Sequence, residues 1–170
     1  MKKIIFSFFT ILTLLVSVAV NAQKLTPAKW SWALSKPNPA VGETVDIVFT
    51  VKIDKDWYLY SSDFDPDLGP IVTTIKFKAN DSYATVGGLK AINPHKKFDK
   101  EIWNGEYTYF KEKGEFRQSV KILKTDIVIE GVYDSQTCTD KTGQCVPIKG
   151  PFKLEAKAGA DNVSAKKKVK

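Results

Sequence analysis

Cys138 and Cys145 are the two residues of this chain whose type and spacing could do chemistry. They enclose residues 139–144, a polar stretch with the turn residues Asp140 and Gly143. A β-prone run at Ile127–Tyr133 precedes them, and Val146-Pro147-Ile148 leads on to another at Phe152–Leu154. The sulfurs are therefore expected to face each other across the base of a β-hairpin turn, close enough to bond. Such a bond has two readings. As a staple it closes a ring of about eight residues, contributing about 2.5 kcal/mol in the chain-entropy account. A mature body of about 140 residues can bury a sufficient core without it. As a redox pair it sits at a turn, where a thiolate can reach it, and exchange is governed by thiolate fraction and access. Placement leaves both readings open. C-x6-C is not the C-x-x-C of thioredoxins, and no βαβ pattern surrounds it. Nor is it the immunoglobulin bridge, which joins two sheets across a long separation.

Other chemistry is thin. The single histidine, His95 in Asn93-Pro94-His95-Lys96, has no partners for a triad or a zinc cluster and reads as a solvated loop residue. Neither a metal nor a cofactor is expected.

The amino-terminal segment reads as an address. Lys2 and Lys3 precede an apolar run, Ile4–Val20, broken only by Ser7, Thr10, Thr13 and Ser17. Val20-Asn21-Ala22 supplies a cleavage-like end, so residues 1–22 are expected to be a signal peptide and the mature chain to start at Gln23. The run is short for a membrane span. Export places the two cysteines where disulfides form and persist. The charge is terminal too. Of a formal net +7, Lys2 and Lys3 carry two and Lys166, Lys167, Lys168 and Lys170 carry four, leaving about +1 for residues 23–165. A nucleic-acid surface needs a basic stripe on the domain itself, and none is present. Residues 156–170 have little to bury and are expected to be a disordered, Lys-rich tail.

The elements that must position the cysteines are strands. Val45, Ile47, Phe49, Val51 and Ile53 alternate with Asp46, Val48, Thr50 and Lys52, and Ile75 and Phe77 alternate with Lys76 and Lys78. Thr108-Tyr109-Phe110 and Phe116–Ile122 are β-prone, and Ile127–Tyr133 is apolar on both faces, as in a central strand. Turn signals stand between them: Asp65-Pro66-Asp67, Gly69-Pro70, Gly87-Gly88, Asn93-Pro94, Asn104-Gly105 and Lys113-Gly114. No helical stripe persists for ten residues. Short strands at regular intervals predict one all-β domain over 23–155, an antiparallel β-sandwich.

The order of several segments resembles a known family. Tyr133-Asp134-Ser135-Gln136-Thr137-Cys138-Thr139-Asp140, then Gly143-Gln144-Cys145-Val146-Pro147, then Phe152-Lys153-Leu154, is similar to the amino-terminal periplasmic domain of the DsbD family. Upstream, Trp57-Tyr58-Leu59-Tyr60-Ser61 with Gly69-Pro70 and Thr73 resembles its aromatic strand and loop. Glu101-Ile102-Trp103-Asn104-Gly105 resembles its cap-loop segment, and Trp30-Ser31-Trp32 also fits. The likeness covers residues 28–155. It implies an immunoglobulin-like sandwich in which Cys138 and Cys145 cycle between dithiol and disulfide. It implies a monomeric relay component in the periplasm that is reduced by a membrane-embedded thiol donor and in turn reduces thioredoxin-like proteins. With one such domain in the chain, that donor is expected to act in trans. An aromatic cap over the disulfide falls on Trp103, with Phe98 as the alternative. The cap's acidic role falls on Glu101, with Asp99 sharing it, and Tyr58 and Tyr60 would line the site. Without the resemblance, the same residues also suit a passive secreted binding or assembly module with a structural hairpin disulfide.

Overall fold

A computed structural model describes residues 25–159. The expected signal peptide and most of the expected tail lie outside them. In chain order the strands are β1 (Ala28–Leu34), β2 (Thr44–Ile53), β3 (Tyr58–Tyr60), β4 (Thr74–Phe77) and β5 (Tyr83–Ala91). They continue with β6 (His95–Asp99), β7 (Gly105–Lys111), β8 (Lys113–Ile122), β9 (Asp126–Cys138) and β10 (Cys145–Lys157). The strands form two sheets. One is four-stranded, in the order β1-β2-β8-β5; the other is six-stranded, in the order β10-β9-β3-β7-β6, with β4 also on β9. All pairings are antiparallel. The architecture is an immunoglobulin-like β-sandwich, as the sequence predicts.

Its core follows from the alternation. β2 turns Ile47, Phe49 and Val51 inward, and β8 turns Phe116, Val120 and Ile122 to the same side. Leu59, Phe110, Ile127, Ile129 and Phe152 meet them from the second sheet. Phe49 and Phe152 cross edge to face at 5.1 Å, and Trp30 stacks between Phe116 and Tyr133 at 5.6 and 4.7 Å. Aromatic edges and faces of this kind add to the area they bury.

Two turn expectations resolve differently, and so does the expected end of the domain. Gly87-Gly88 does not end a strand; it lies in β5, where the register slips between Val86 and Lys90. The slip frees carbonyls of Val86 and Gly87, and the buried Gln118 amide donates to both, which accounts for a glutamine on an apolar face. Near Lys113-Gly114 the chain passes from one sheet to the other through Glu112, which takes a left-handed φ of 61°. The last strand runs past the expected domain end, because Ala156 and Lys157 still pair with Ile127 and Asp126.

Candidate functional site

The long hairpin β9–β10 carries both cysteines at its turn end. Cys138 pairs across from Cys145, with Cα atoms 4.1 Å apart, and the two sulfurs are bonded. That short separation is typical of a non-hydrogen-bonded antiparallel pair, where side chains come closest. The next pair outward closes the turn: Thr139 N–H donates to the Gln144 carbonyl and Gly143 N–H to the Thr139 carbonyl, both at 3.0 Å. Gly143 takes a φ of 67°, which suits a residue with no Cβ. The Lys141 ammonium reaches the Asp56 carboxylate at 2.7 Å, tying the turn to the β2–β3 connection.

Strand alternation decides which face the disulfide occupies. Ile127, Ile129, Ser135 and Thr137 point into the sandwich, so Gln136 and Cys138 point outward. In β3 Leu59 is in the core while Tyr58 and Tyr60 face the cysteine side, Tyr58 standing directly opposite Cys138. In β7 Phe110 is inward and Tyr107, Tyr109 and Lys111 outward. The site thus stands on the outer face of the six-stranded sheet.

An outer face is normally wet, yet this one is covered. Cys138 is only 1% exposed and joins Tyr60 and Tyr107 in a second apolar cluster, separate from the core. Tyr58, Phe64, Leu68, Trp103 and Tyr109 pack against that cluster. Tyr60 and Tyr107 meet at 5.2 Å, and Tyr58 and Tyr60 at 5.4 Å, each edge to face. Cys145 is exposed. The two cysteines of one bond therefore differ sharply in exposure.

Trp103 belongs to the β6–β7 loop, and two features seat it. The Asp99 carboxylate accepts hydrogen bonds from three successive backbone N–H groups, Glu101 at 3.0 Å, Ile102 at 2.7 Å and Trp103 at 3.2 Å. These bonds, the one from Ile102 first, hold the Asp99 carboxyl below the usual aspartate range. On the far side the Trp103 ring lies in a notch at Gly69, whose φ is 129°. A Cβ there would fall 2.1 Å from the ring.

The other residues singled out in the sequence separate. Phe98 pairs with Glu106 on the alternate face of β6 and is 55% exposed, away from the cluster around Cys138. Glu101 is exposed, two residues before Trp103. His95 opens β6 and lies against Tyr109 at 5.4 Å. Six residues of the site were not singled out: Phe64, Leu68, Gly69, Tyr107, Tyr109 and Gln136. Period-two reading of Gly105–Lys111 would have put Tyr107 and Tyr109 on one face. Gln136 Oε1 accepts the Ile71 N–H at 2.8 Å, and its Nε2 stands 3.6 Å from Cys138 Sγ.

Burial, then the neighbouring Tyr60 hydroxyl, raises the Tyr58 phenol well above its ordinary range. Burial likewise raises Tyr107, helped by Tyr60, Asp99 and Asp140. Both remain neutral hydroxyls at any physiological pH. A cleft of about 590 Å³ adjoins the site, lined by Lys55, Asp56, Trp57, Tyr58, Asp140 and Lys141 among others. What the arrangement can do chemically is thiol–disulfide exchange at one open sulfur, with the other sulfur held under aromatic cover.

Among curated proteins none matches the chain in sequence. Solved structures similar to it include the reduced DsbD N-terminal domain of Neisseria meningitidis, at 17% identity and a TM-score of 0.47, covering 76% of this chain and 86% of that one. The N-terminal periplasmic domain of ScsB from Proteus mirabilis is 16% identical with a TM-score of 0.49, covering 78% of this chain and 47% of that one. A complex of the DsbD N-terminal and PilB N-terminal domains from Neisseria meningitidis is similar at 16% identity and a TM-score of 0.44, covering 73% and 80%. The family model for the N-terminal region of thiol:disulfide interchange protein DsbD matches residues 24–157, most of the chain, and the chain belongs to that family.

Proposed function

We propose that this domain relays reducing equivalents in the periplasm through the Cys138–Cys145 pair. The observation that supports the reading is the asymmetry of the bond: one cysteine is exposed, the other is buried, and neither belongs to the core that holds the sandwich together. A staple needs no such arrangement. In the proposed cycle a thiolate of a membrane-embedded donor attacks Cys145 Sγ. A mixed disulfide forms there, and Cys138 leaves with the electron pair of the broken bond. The donor's second thiolate then attacks the donor sulfur of the mixed disulfide and frees the Cys145 thiolate, so the donor is oxidised and the domain reduced. Toward a thioredoxin-like acceptor the steps run in reverse: Cys145 attacks the acceptor disulfide and Cys138 resolves the mixed disulfide. The chemistry needs no cofactor, and a single copy of the domain suffices for it. Trp103 serves as the lid, seated by Asp99; Tyr58 and Tyr60 line the chamber. Phe98 and Glu101 face solvent, where they can meet a docking partner.

The reduction potential of the pair tests the reading. Equilibration with defined thiol buffers, alkylation and mass measurement are expected to give about −180 to −270 mV, among exchange proteins. A value below about −300 mV is that of a structural bridge and defeats the relay.

A further inference from the structure

Gln136 is neither a sulfur of the pair nor part of its aromatic cover, yet it touches the reacting atoms. It precedes Cys138 by two residues on β9 and so shares its face. Its two contacts constrain each other. The Ile71 backbone N–H can only donate, so the oxygen of the Gln136 amide must face Ile71, at 2.8 Å. The NH2 is thereby turned to Cys138 Sγ, at 3.6 Å. A disulfide sulfur accepts weakly, so this contact contributes little while the bond is intact. A thiolate is an anion, and charge-assisted hydrogen bonds are roughly twice as strong as neutral ones. The donor is therefore fixed in advance where charge develops as the S–S bond breaks.

We infer that Gln136 is a catalytic residue of the exchange, its amide donating to the Cys138 thiolate as that sulfur leaves. The inference rests on the relay reading and extends it to a named group. When an incoming thiolate bonds to Cys145 Sγ, the Cys138–Cys145 bond breaks and its electron pair departs with Cys138 Sγ, beside the Gln136 NH2. In the reverse direction the same contact keeps Cys138 ionised for its attack on Cys145 Sγ in the mixed disulfide, which expels the partner's thiolate. The anchor of this amide, Ile71, lies two residues from the Gly69 notch that seats Trp103, so leaving-group support and lid share one loop.

Two substitutions separate the donor from the anchor. Gln136→Leu removes both contacts; Gln136→Glu keeps an oxygen for the Ile71 N–H and removes the donor. Each is placed in a Cys145→Ser background, and formation of the Cys138 thiolate is followed across pH by ultraviolet absorbance and by iodoacetamide alkylation. Both variants are expected to hold about tenfold less thiolate at neutral pH, corresponding to about one pH unit in the midpoint. Gln136→Glu is expected to lose at least as much as Gln136→Leu, since its carboxylate opposes a second anion. With both cysteines present, each is expected to slow reduction by dithiothreitol in proportion. Wild-type thiolate formation in Gln136→Glu overturns the inference and leaves Gln136 a loop anchor; wild-type behaviour in both variants overturns it equally. No partner protein enters the measurement, so it judges Gln136 independently of the reduction potential on which the relay itself stands.

Discussion

Asp99 concentrates three backbone donors on one carboxylate oxygen, which makes the seat of Trp103 a titratable feature. Its carboxyl is held below the usual range, so the sign is that of a depressed acid. Its contribution is complete above the ordinary aspartate value, near pH 4, and is lost only as pH falls through the lower folded value. At neutral pH, Asp99→Ala is expected to speed reduction of the disulfide by a small phosphine severalfold, because the cap loses its anchor. The variant-to-wild-type ratio, in which the reagent's own titration cancels, is expected to fall toward one below about pH 4. A ratio that stays constant into strong acid would show that charge on Asp99 does not seat the cap. At this scale the sequence spoke unevenly. Cys138 and Cys145 announced themselves by type and spacing, and Asp99 and Trp103 by resemblance. Gln136 stood in the resembling segment without a role, because that role depends on Ile71, which is 65 positions away and meets it only in the folded sheet.

The elements explain both what was legible and what was not. β2 and β8 carry one apolar face through long alternating runs, and a period of two survives in sequence wherever one side of a strand is buried. β6, with the sequence His95-Lys96-Lys97-Phe98-Asp99, has almost no buried side chain, so no pattern marks it. It exists because β7 offers a free edge and the cap loop joins the two. β1 alternates as well, with Ala28, Trp30, Trp32 and Leu34 toward the core and Lys29, Ser31 and Ala33 away from it, so a period-two reading applies to it too. The proposed cap is therefore a hairpin loop held at both ends, by Asp99 on one side and by the Gly69 notch on the other. This yields a prediction that leaves the tryptophan in place. In Gly69→Ala the new methyl group would occupy the ring's position, and φ at 129° strains any side chain there. The ring must leave. Reduction of the disulfide by dithiothreitol is then expected to accelerate toward the rate of Trp103→Ala, roughly tenfold, as cover over the buried sulfur is removed. An unchanged rate in both variants would reject Trp103 as the lid; acceleration in Trp103→Ala only would place the ring elsewhere than the notch.

For the whole molecule, a redox bond and a structural bond make opposite demands. A relay must be folded in both of its states, so the sandwich has to stand without the disulfide. The architecture meets that demand. β9 and β10 pair from Cys138 and Cys145 back to Asp126 and Lys157, and the turn beyond the cysteines closes through Thr139 and Gln144. The core meanwhile lies on the opposite face of the sheet, around Phe49, Phe116 and Ile129. The Lys141–Asp56 pair at the turn is exposed and contributes little. What the bond adds is then the entropy of a short ring, at most about 2.5 kcal/mol. Phe49→Ala, by contrast, deletes a fully buried ring at the centre of an aromatic group and is expected to cost about 3–5 kcal/mol. Urea unfolding should therefore rank the proteins. The Cys138→Ser/Cys145→Ser double variant is expected to unfold in one cooperative transition, with an unchanged denaturant slope and a smaller loss than Phe49→Ala. A double variant that loses more than the core substitution, or that melts in two steps, would make the disulfide part of the scaffold. A bond that the scaffold needs cannot be broken and remade in every cycle, so the relay would fail with it.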